Sequence, residues 1–287
     1  MSDYGGQSMV APLRRVLVRR PDEAFGGADP DVWHYTSRPD LAAARQEHEA
    51  LTGLLTAAGA EVVEHPEPQP ERADAIFVFD PVLITDRGAV LLRMGKALRR
   101  GEEEAMGRRL REVGVPILAA LEGEATAEGG DLLWLDRHTL AAGHGFRTNA
   151  AGLRQLREIL KPLDVEVVPV ELPYFGGPEA CLHLLSLLSL VDDNLAVVYP
   201  PLLSVPFWRL LRDRGIRLVE VPAEEFPTQG PNVLALAPRK VLMLEGNPVT
   251  RRRLEEAGCE VVTYVGREIS FKAEGGPTCL TQPVWRG

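Results

Sequence analysis

One pattern recurs five times along this 287-residue chain and restricts its fold more than any other feature. A helix-like segment ends at a turn residue, and a short run rich in β-branched residues follows. The copies are Ala58-Gly59-Ala60-Glu61-Val62-Val63, Val113-Gly114-Val115-Pro116-Ile117, Leu163-Asp164-Val165-Glu166-Val167-Val168, Arg214-Gly215-Ile216-Arg217-Leu218-Val219 and Ala257-Gly258-Cys259-Glu260-Val261-Val262. Their turn residues, 59, 114, 164, 215 and 258, lie 55, 50, 51 and 43 positions apart. Glycine accepts the left-handed conformation just past a helix, which is why it ends helices. Within 41–58, Leu51, Leu54, Leu55 and Ala58 form one apolar face of an amphipathic helix. Segments 151–160 and 251–256 behave similarly.

Four of these helices follow a hairpin-like pair of apolar runs. Runs 82–85 and 89–92 flank Asp86-Arg87-Gly88, and 132–135 and 139–142 flank Asp136-Arg137-His138. Runs 187–191 and 195–199 flank Asp192-Asp193-Asn194, and 233–237 and 241–244 flank Pro238-Arg239-Lys240. Turn formers between short apolar runs signal hairpins. The first copy is shorter, with 15–18 as its one clear strand. Each unit therefore reads as strand, turn, strand, helix, strand. One unit cannot bury both its faces, but five in a ring can. The expected fold is a single α/β domain over 1–287, a five-fold pseudo-symmetric ββαβ propeller.

Composition narrows the function. The hydrophobic fraction is 45% and the charged fraction 25%, enough for a sizeable core. A net charge of −9 argues against nucleic acid or an anionic membrane as partner. The longest apolar stretch, 182–191, is too short to span a bilayer, and the N-terminus lacks a secretory apolar core. Cys181, Cys259 and Cys279 make an odd count without framework spacing, which fits a reducing cytoplasm. No CxxC or HExxH motif marks a metal site, and no cofactor is implied. Oligomeric state is left open, a homodimer included.

In a ring, the loops joining units converge on a central cavity, so polar residues at those junctions are the candidate chemistry. Asp74-Ala75-Ile76-Phe77-Val78-Phe79-Asp80 reads as a strand with Asp74 and Asp80 on one face, able to clamp a planar cation. Glu128-Gly129-Gly130-Asp131 pairs an acid with glycines that permit close approach and unusual φ. His183 interrupts an apolar run that can shift its pKa. Glu274-Gly275-Gly276-Pro277-Thr278-Cys279 places a thiol after a rigid turn. Each signal alone equally fits an ordinary turn or core residue; Cys181 and Cys259 read as core. Residues 21–33, rich in Gly, Asp and Pro, read as a lid.

These motifs, with Arg147-Thr148-Asn149, His183-Leu184 and Gly275–Thr281, resemble the pentein, or guanidino-group-modifying, superfamily in content and order over residues 74–281. Arg19-Arg20-Pro21 fits its opening strand and substrate-covering loop. The resemblance implies a five-bladed ββαβ fan with a catalytic triad of Cys279 as nucleophile, His183 as acid and base, and Glu128 orienting His183. It also implies that Asp74, Asp80, Phe77 and Glu274 receive a guanidino substrate and that Arg99 and Arg147 bind its α-carboxylate, without metal. Deiminases and amidinotransferases of the superfamily usually carry His-x-Asp, and here that position is Leu185, which favours the dimethylarginine-hydrolysing branch. That branch commonly has Glu where Phe79 stands. The first alternative is an arginine deiminase, dihydrolase or amidinotransferase of the same superfamily, and the second, from a different class, is a non-catalytic binding module on the same fold.

Overall fold

The structure, a computed structural model, describes residues 3–287. Five three-stranded sheets form five blades, each pairing its first two strands antiparallel and its last two parallel. The first blade is built on β1 (Leu13–Val18). Two short helices, α1 (Glu23–Gly26) and α2 (Pro30–Trp33), precede α3 (Leu41–Ala57) and β2 (Glu61–Glu64). The second blade has β3 (Val82–Thr85), β4 (Gly88–Leu91), α4 (Glu102–Glu112) and β5 (Ile117–Ala120). The third has β6 (Leu132–Asp136), β7 (Thr139–His144), α5 (Ala150–Leu160) and β8 (Glu166–Glu171). The fourth has β9 (Leu188–Asp192), β10 (Leu195–Val198), α6 (Val205–Asp213) and β11 (Arg217–Glu220). The fifth has β12 (Val233–Ala237), β13 (Lys240–Leu244), α7 (Pro248–Glu256) and β14 (Glu260–Tyr264).

The C-terminal strand β15 (Gln282–Arg286) pairs antiparallel with β1, as Val16 with Pro283 and Leu17 with Gln282. It supplies the strand that the short first copy lacks and ties the two ends of the chain into one blade. That pairing spans the whole chain and has no local sequence signal.

The recurring turn residues do what their position requires. Gly59, Gly114, Gly215 and Gly258 all have positive φ, and Asp164 reaches φ 57° in their place. Each helix then returns the chain parallel to the middle strand, a connection that needs a crossover. The middle strands are the most buried part of every blade: Leu140, Ala141, Ala142, Leu195, Ala196, Val197 and Val198 are fully buried. Leu51 and Leu55 of α3, Leu110 of α4, Leu156 and Leu160 of α5, Leu211 of α6 and Leu254 of α7 are likewise inaccessible to water. Each such side chain stabilises the fold by about 1.5–3 kcal/mol through burial.

The segment from Asp74 to Asp80 is not a strand. Ala73–Ile76 forms a 3-10 turn, and the chain bends again before β3. Every residue from Ala73 to Asp80 is buried, so the alternation of apolar and acidic residues does not report two faces of a strand. The expected lid, 21–33, folds as α1 and α2, whose starts are capped by the Asp22 and Asp29 carboxylates. Among the described residues no helix is long and apolar enough to cross a membrane.

Candidate active site

The turn that enters each blade's first strand points to the ring axis, and four of these turns deliver the expected chemistry. Asp80 precedes β3, Glu128 precedes β6, His183 precedes β9 and Cys279 precedes β15. The fifth turn, before β12, delivers Asn232, which sequence reasoning missed. Its signal was positional, since the repeat places a residue of every unit at this point.

These turns surround a cavity that opens to solvent. Asp74, Phe77, Asp80, Arg99, Arg147, His183, Glu274 and Cys279 all line it. Glu128 lies behind His183 and is wholly buried. Its Oε2 is 2.7 Å from His183 Nε2, and its Oε1 accepts from the backbone N–H groups of Gly95 at 2.9 Å and Lys96 at 3.0 Å. Burial works to raise the Glu128 pKa, but the His183 hydrogen bond and the charges of His183 and Arg147 outweigh it, and the carboxyl is held well below the usual range. Burial opposes charge on His183 too. The acidic groups around it, Cys181, Asp80 and Asp131, prevail and raise its pKa well above the ordinary value. An imidazolium facing the cavity and a carboxylate behind it is the result.

The glycines of Glu128-Gly129-Gly130-Asp131 serve contact rather than unusual φ. A Cβ on Gly130 would sit 2.3 Å from His183 Nδ1, so any larger residue would push the ring away from Glu128. Asp131 completes the mounting. It accepts from Leu184 N–H at 3.1 Å and from the Thr148 hydroxyl at 2.6 Å, tying the His183 turn to the third blade. Arg147-Thr148-Asn149 thus divides its work: Arg147 faces the cavity, Thr148 braces Asp131, and Asn149 caps α5 by accepting from Gly152 N–H.

Cys279 Sγ accepts from Asn232 Nδ2 at 3.4 Å, and Asn232 Oδ1 accepts from Thr278 N–H at 3.1 Å. Asn232 therefore grips the thiol loop at two points. Burial, reinforced by the Asp80 carboxylate, pushes the Cys279 thiol up to about 12, with His183 pulling the other way. Cys181, expected in the core, is exposed and stands beside the same imidazole, its Sγ 3.7 Å from His183 Nδ1. Cys259 is buried, as expected.

The two clamp carboxylates are already partly engaged. Asp74 accepts from Tyr35 Oη at 2.8 Å and Lys96 Nζ at 2.6 Å. The Lys96 ammonium also lies 4.9 Å from the Trp33 ring centroid. Asp80 accepts from Gly130 N–H at 2.9 Å and from Arg99 Nη1 at 2.6 Å. Each carboxylate keeps lone pairs for a further donor. Phe77 is packed closely against the thiol loop, where a Cβ on Gly275 would lie 2.2 Å from its ring. Glu274 stands exposed at the mouth with φ 59°. Across that mouth, His34 Nε2 meets Glu179 Oε2 at 3.1 Å.

Arg99 and Arg147, paired in expectation as carboxylate binders, differ in place. Arg99 is 3% exposed and spends its guanidinium on Glu102, Asp80 and the Phe77 carbonyl, so it holds Asp80 rather than offering a free fork to a ligand. Arg147 has one ion pair, to Glu128 at 3.7 Å, and its buried Nε has no partner. Its donors remain available to an anion. Replacing Arg99 by Met would strand Asp80 and Glu102 in the interior. Burial already raises Glu102 to about 7 with Arg99 beside it. Losing the cation raises it further, so the stability penalty is released when Glu102 takes up a proton and grows as pH rises. Arg99→Met is expected to cost about 3–5 kcal/mol in denaturant unfolding, more at pH 8 than at pH 5.

Asp80, Glu128 and His183 bring ligand atoms within 4.8 Å of one another. Arg99 bonds one of them and Arg147 pairs with another, and two guanidinium groups oppose a metal cation there. The set suits proton handling at His183.

The arginine deiminase family model matches residues 70–211 and 203–286. The chain is 31% identical over 271 residues to the N(G),N(G)-dimethylarginine dimethylaminohydrolase of Streptomyces coelicolor, covering 94% of this chain and 96% of that protein. The dimethylarginine dimethylaminohydrolase of Pseudomonas aeruginosa, solved as a serine-for-cysteine variant with citrulline, superposes with a TM-score of 0.79 at 25% identity, over 94% of this chain and 98% of that one. An amidinotransferase of Microseira wollei shares the fold, with a TM-score of 0.82 at 17% identity, over 99% of this chain and 98% of that one.

Proposed function

The chain belongs to the arginine deiminase family of the pentein fold, and from that premise we propose that it hydrolyses Nω-methylated arginine to citrulline and a methylamine. The coarser part, hydrolysis of a guanidino C–N bond, follows from the family and its dimethylarginine dimethylaminohydrolase relatives. The substrate rests on one observation. Leu185, at the position where deiminases and transferases usually carry a further carboxylate, is 1% exposed and packed in the core, away from the cavity. The site then lacks one acceptor for an unsubstituted guanidinium nitrogen and tolerates a methylated one.

A guanidinium stays protonated at any accessible pH, so its receptor must supply carboxylates. Asp74 and Asp80 supply them, beside the Phe77 ring. Arg147 receives the α-carboxylate. The guanidinium carbon is deactivated by resonance, and a thiolate attacks it better than water does. Cys279 Sγ forms the bond to that carbon. The C–N bond to the methylated amine then breaks as His183 delivers its proton to the leaving nitrogen. Neutral His183 takes a proton from water, which attacks the thiouronium carbon and releases citrulline and the thiolate. Glu128 holds the imidazole in register and stabilises its charge.

The raised Cys279 pKa shapes the pH dependence. The thiolate fraction of the free enzyme climbs about tenfold per unit below a pKa of about 12. A bound guanidinium beside Asp80 offsets the carboxylate that helps raise it. The expected kcat/KM profile climbs with a slope near one through neutral pH and falls only where His183 loses its proton. A flat profile between about pH 6 and 9 would show that thiol ionisation is not limiting.

The function is tested by incubating the protein with dimethylarginine, monomethylarginine and arginine and identifying products by mass spectrometry. Citrulline with dimethylamine is the expected result. Ammonia from arginine alone would reassign the substrate, and amidine transfer to an added amine would reassign the reaction.

A further inference from the structure

On the far side of the thiol loop from the catalytic cavity lies a second, narrower one along the ring axis. The two share a wall: Thr278 and Gly129 line the axial cavity, while the adjacent Cys279 and Glu128 belong to the active site. Most of the axial lining is apolar, with Ile84, Leu132, Trp134 and Val233 among it.

One arginine, Arg286, lines this apolar space. Arg286 of β15 is 5% exposed, and its one hydrogen bond is Nη1 to the Ala11 carbonyl at 2.7 Å. Its Nε is buried without a partner, and among the described residues no carboxylate offsets its charge. Burial, with no counter-charge beside it, lowers its pKa to about 9. Gln282, 3% exposed on the same strand, has a buried Oε1 that also lacks a partner. Every other deeply buried arginine built into the fold has a carboxylate or several carbonyls: Arg99 has Asp80 and Glu102, and Arg19 has Asp22 with two carbonyls. A buried cation without a counter-charge is costly, so the arrangement is completed by an anion. The apolar walls add that the anion carries an apolar body, and Gln282 Oε1 accepts from a hydroxyl or a water beside it.

We propose that the axial cavity is a binding site for a small amphipathic carboxylate, its carboxylate on Arg286 and its hydrocarbon along the inner faces of the blades. Phe79, one of the departures from the related branch, is accounted for here: its side chain lines this cavity and not the catalytic one.

Hexanoate is the probe, titrated into the full chain by calorimetry, with hexan-1-ol and hexylamine as controls. One saturable site is expected for hexanoate, at least tenfold weaker for the alcohol and amine. Arg286→Met should weaken hexanoate at least tenfold, while Arg147→Met, which removes a guanidinium lining the catalytic cavity, should leave it unchanged. Absence of hexanoate binding, equal binding of the alcohol, or loss on Arg147→Met with retention on Arg286→Met would each overturn the proposal. Should Arg286→Met not fold, Ala235→Leu narrows the same cavity, and unchanged hexanoate affinity in that variant would equally overturn it. The readout is binding, so its failure is separable from failure of the proposed hydrolysis.

Discussion

Cys279→Ser is expected to lower turnover of the substrate by about four orders of magnitude or more while the chain remains folded, as loss of a nucleophile does in other covalent hydrolases. A serine hydroxyl is close to the thiol in size, and Asn232 Nδ2 can still donate to it, so the loop keeps both its holds. What is lost is the attacking sulfur. Far-ultraviolet circular dichroism and the melting temperature should match those of the parent protein. A variant retaining even a tenth of the parent kcat would remove Cys279 from the mechanism. Cys181 makes this more than a formality, because a second thiol stands 3.7 Å from the same imidazole. Cys181→Ser is expected to leave the covalent step intact.

Glu128→Gln should cost about 10³–10⁴ in kcat, comparable to neutralising the orienting carboxylate of a Ser-His-Asp triad. The amide oxygen can still accept from Gly95 and Lys96 N–H, so the local fold is preserved. The amide nitrogen would then face His183 Nε2, donor against donor, unless the imidazole gives up that proton. His183 becomes neutral and loses its role as acid to the leaving amine. Its pKa, followed by nuclear magnetic resonance of the ring protons, should fall toward or below the ordinary histidine value. A loss under tenfold, or an unmoved His183 pKa, would mean that Glu128 serves packing alone.

The five-unit architecture was legible because the chain repeats a local signal: left-handed glycine after an amphipathic helix, then a β-branched strand. Asp164, with φ 57°, shows that the signal marks a conformation and not only a residue type. The candidate site was legible because its members sit at unit junctions in a familiar order, and the cavity gathers them.

What stayed hidden depends on contacts between distant segments. The stretch from Asp74 to Asp80 alternates like a strand, yet it is buried on all sides and turns, because its polar groups are satisfied by Tyr35, Lys96, Arg99 and Gly130. Arg99 matched a ligand-binding position, and its pairing with Asp80 in a separate segment, together with Glu102, reveals that its charge is internally balanced. Cys181 looked like core because its neighbours to the C-terminal side are apolar. The unit-by-unit correspondence that finds Asn232 needs the register of the blades, which periodicity alone does not fix.

The account stands on a covalent bond between Cys279 and the guanidino carbon. Rapid chemical quenching of the protein with monomethylarginine, followed by intact-mass and peptide analysis, tests it most directly. The predicted result is a transient adduct with the mass of the substrate less methylamine, confined to the peptide carrying Cys279 and persisting longer in variants slow in hydrolysis. An adduct on Cys181, or product formed with no adduct on Cys279 under conditions where hydrolysis limits turnover, would contradict it.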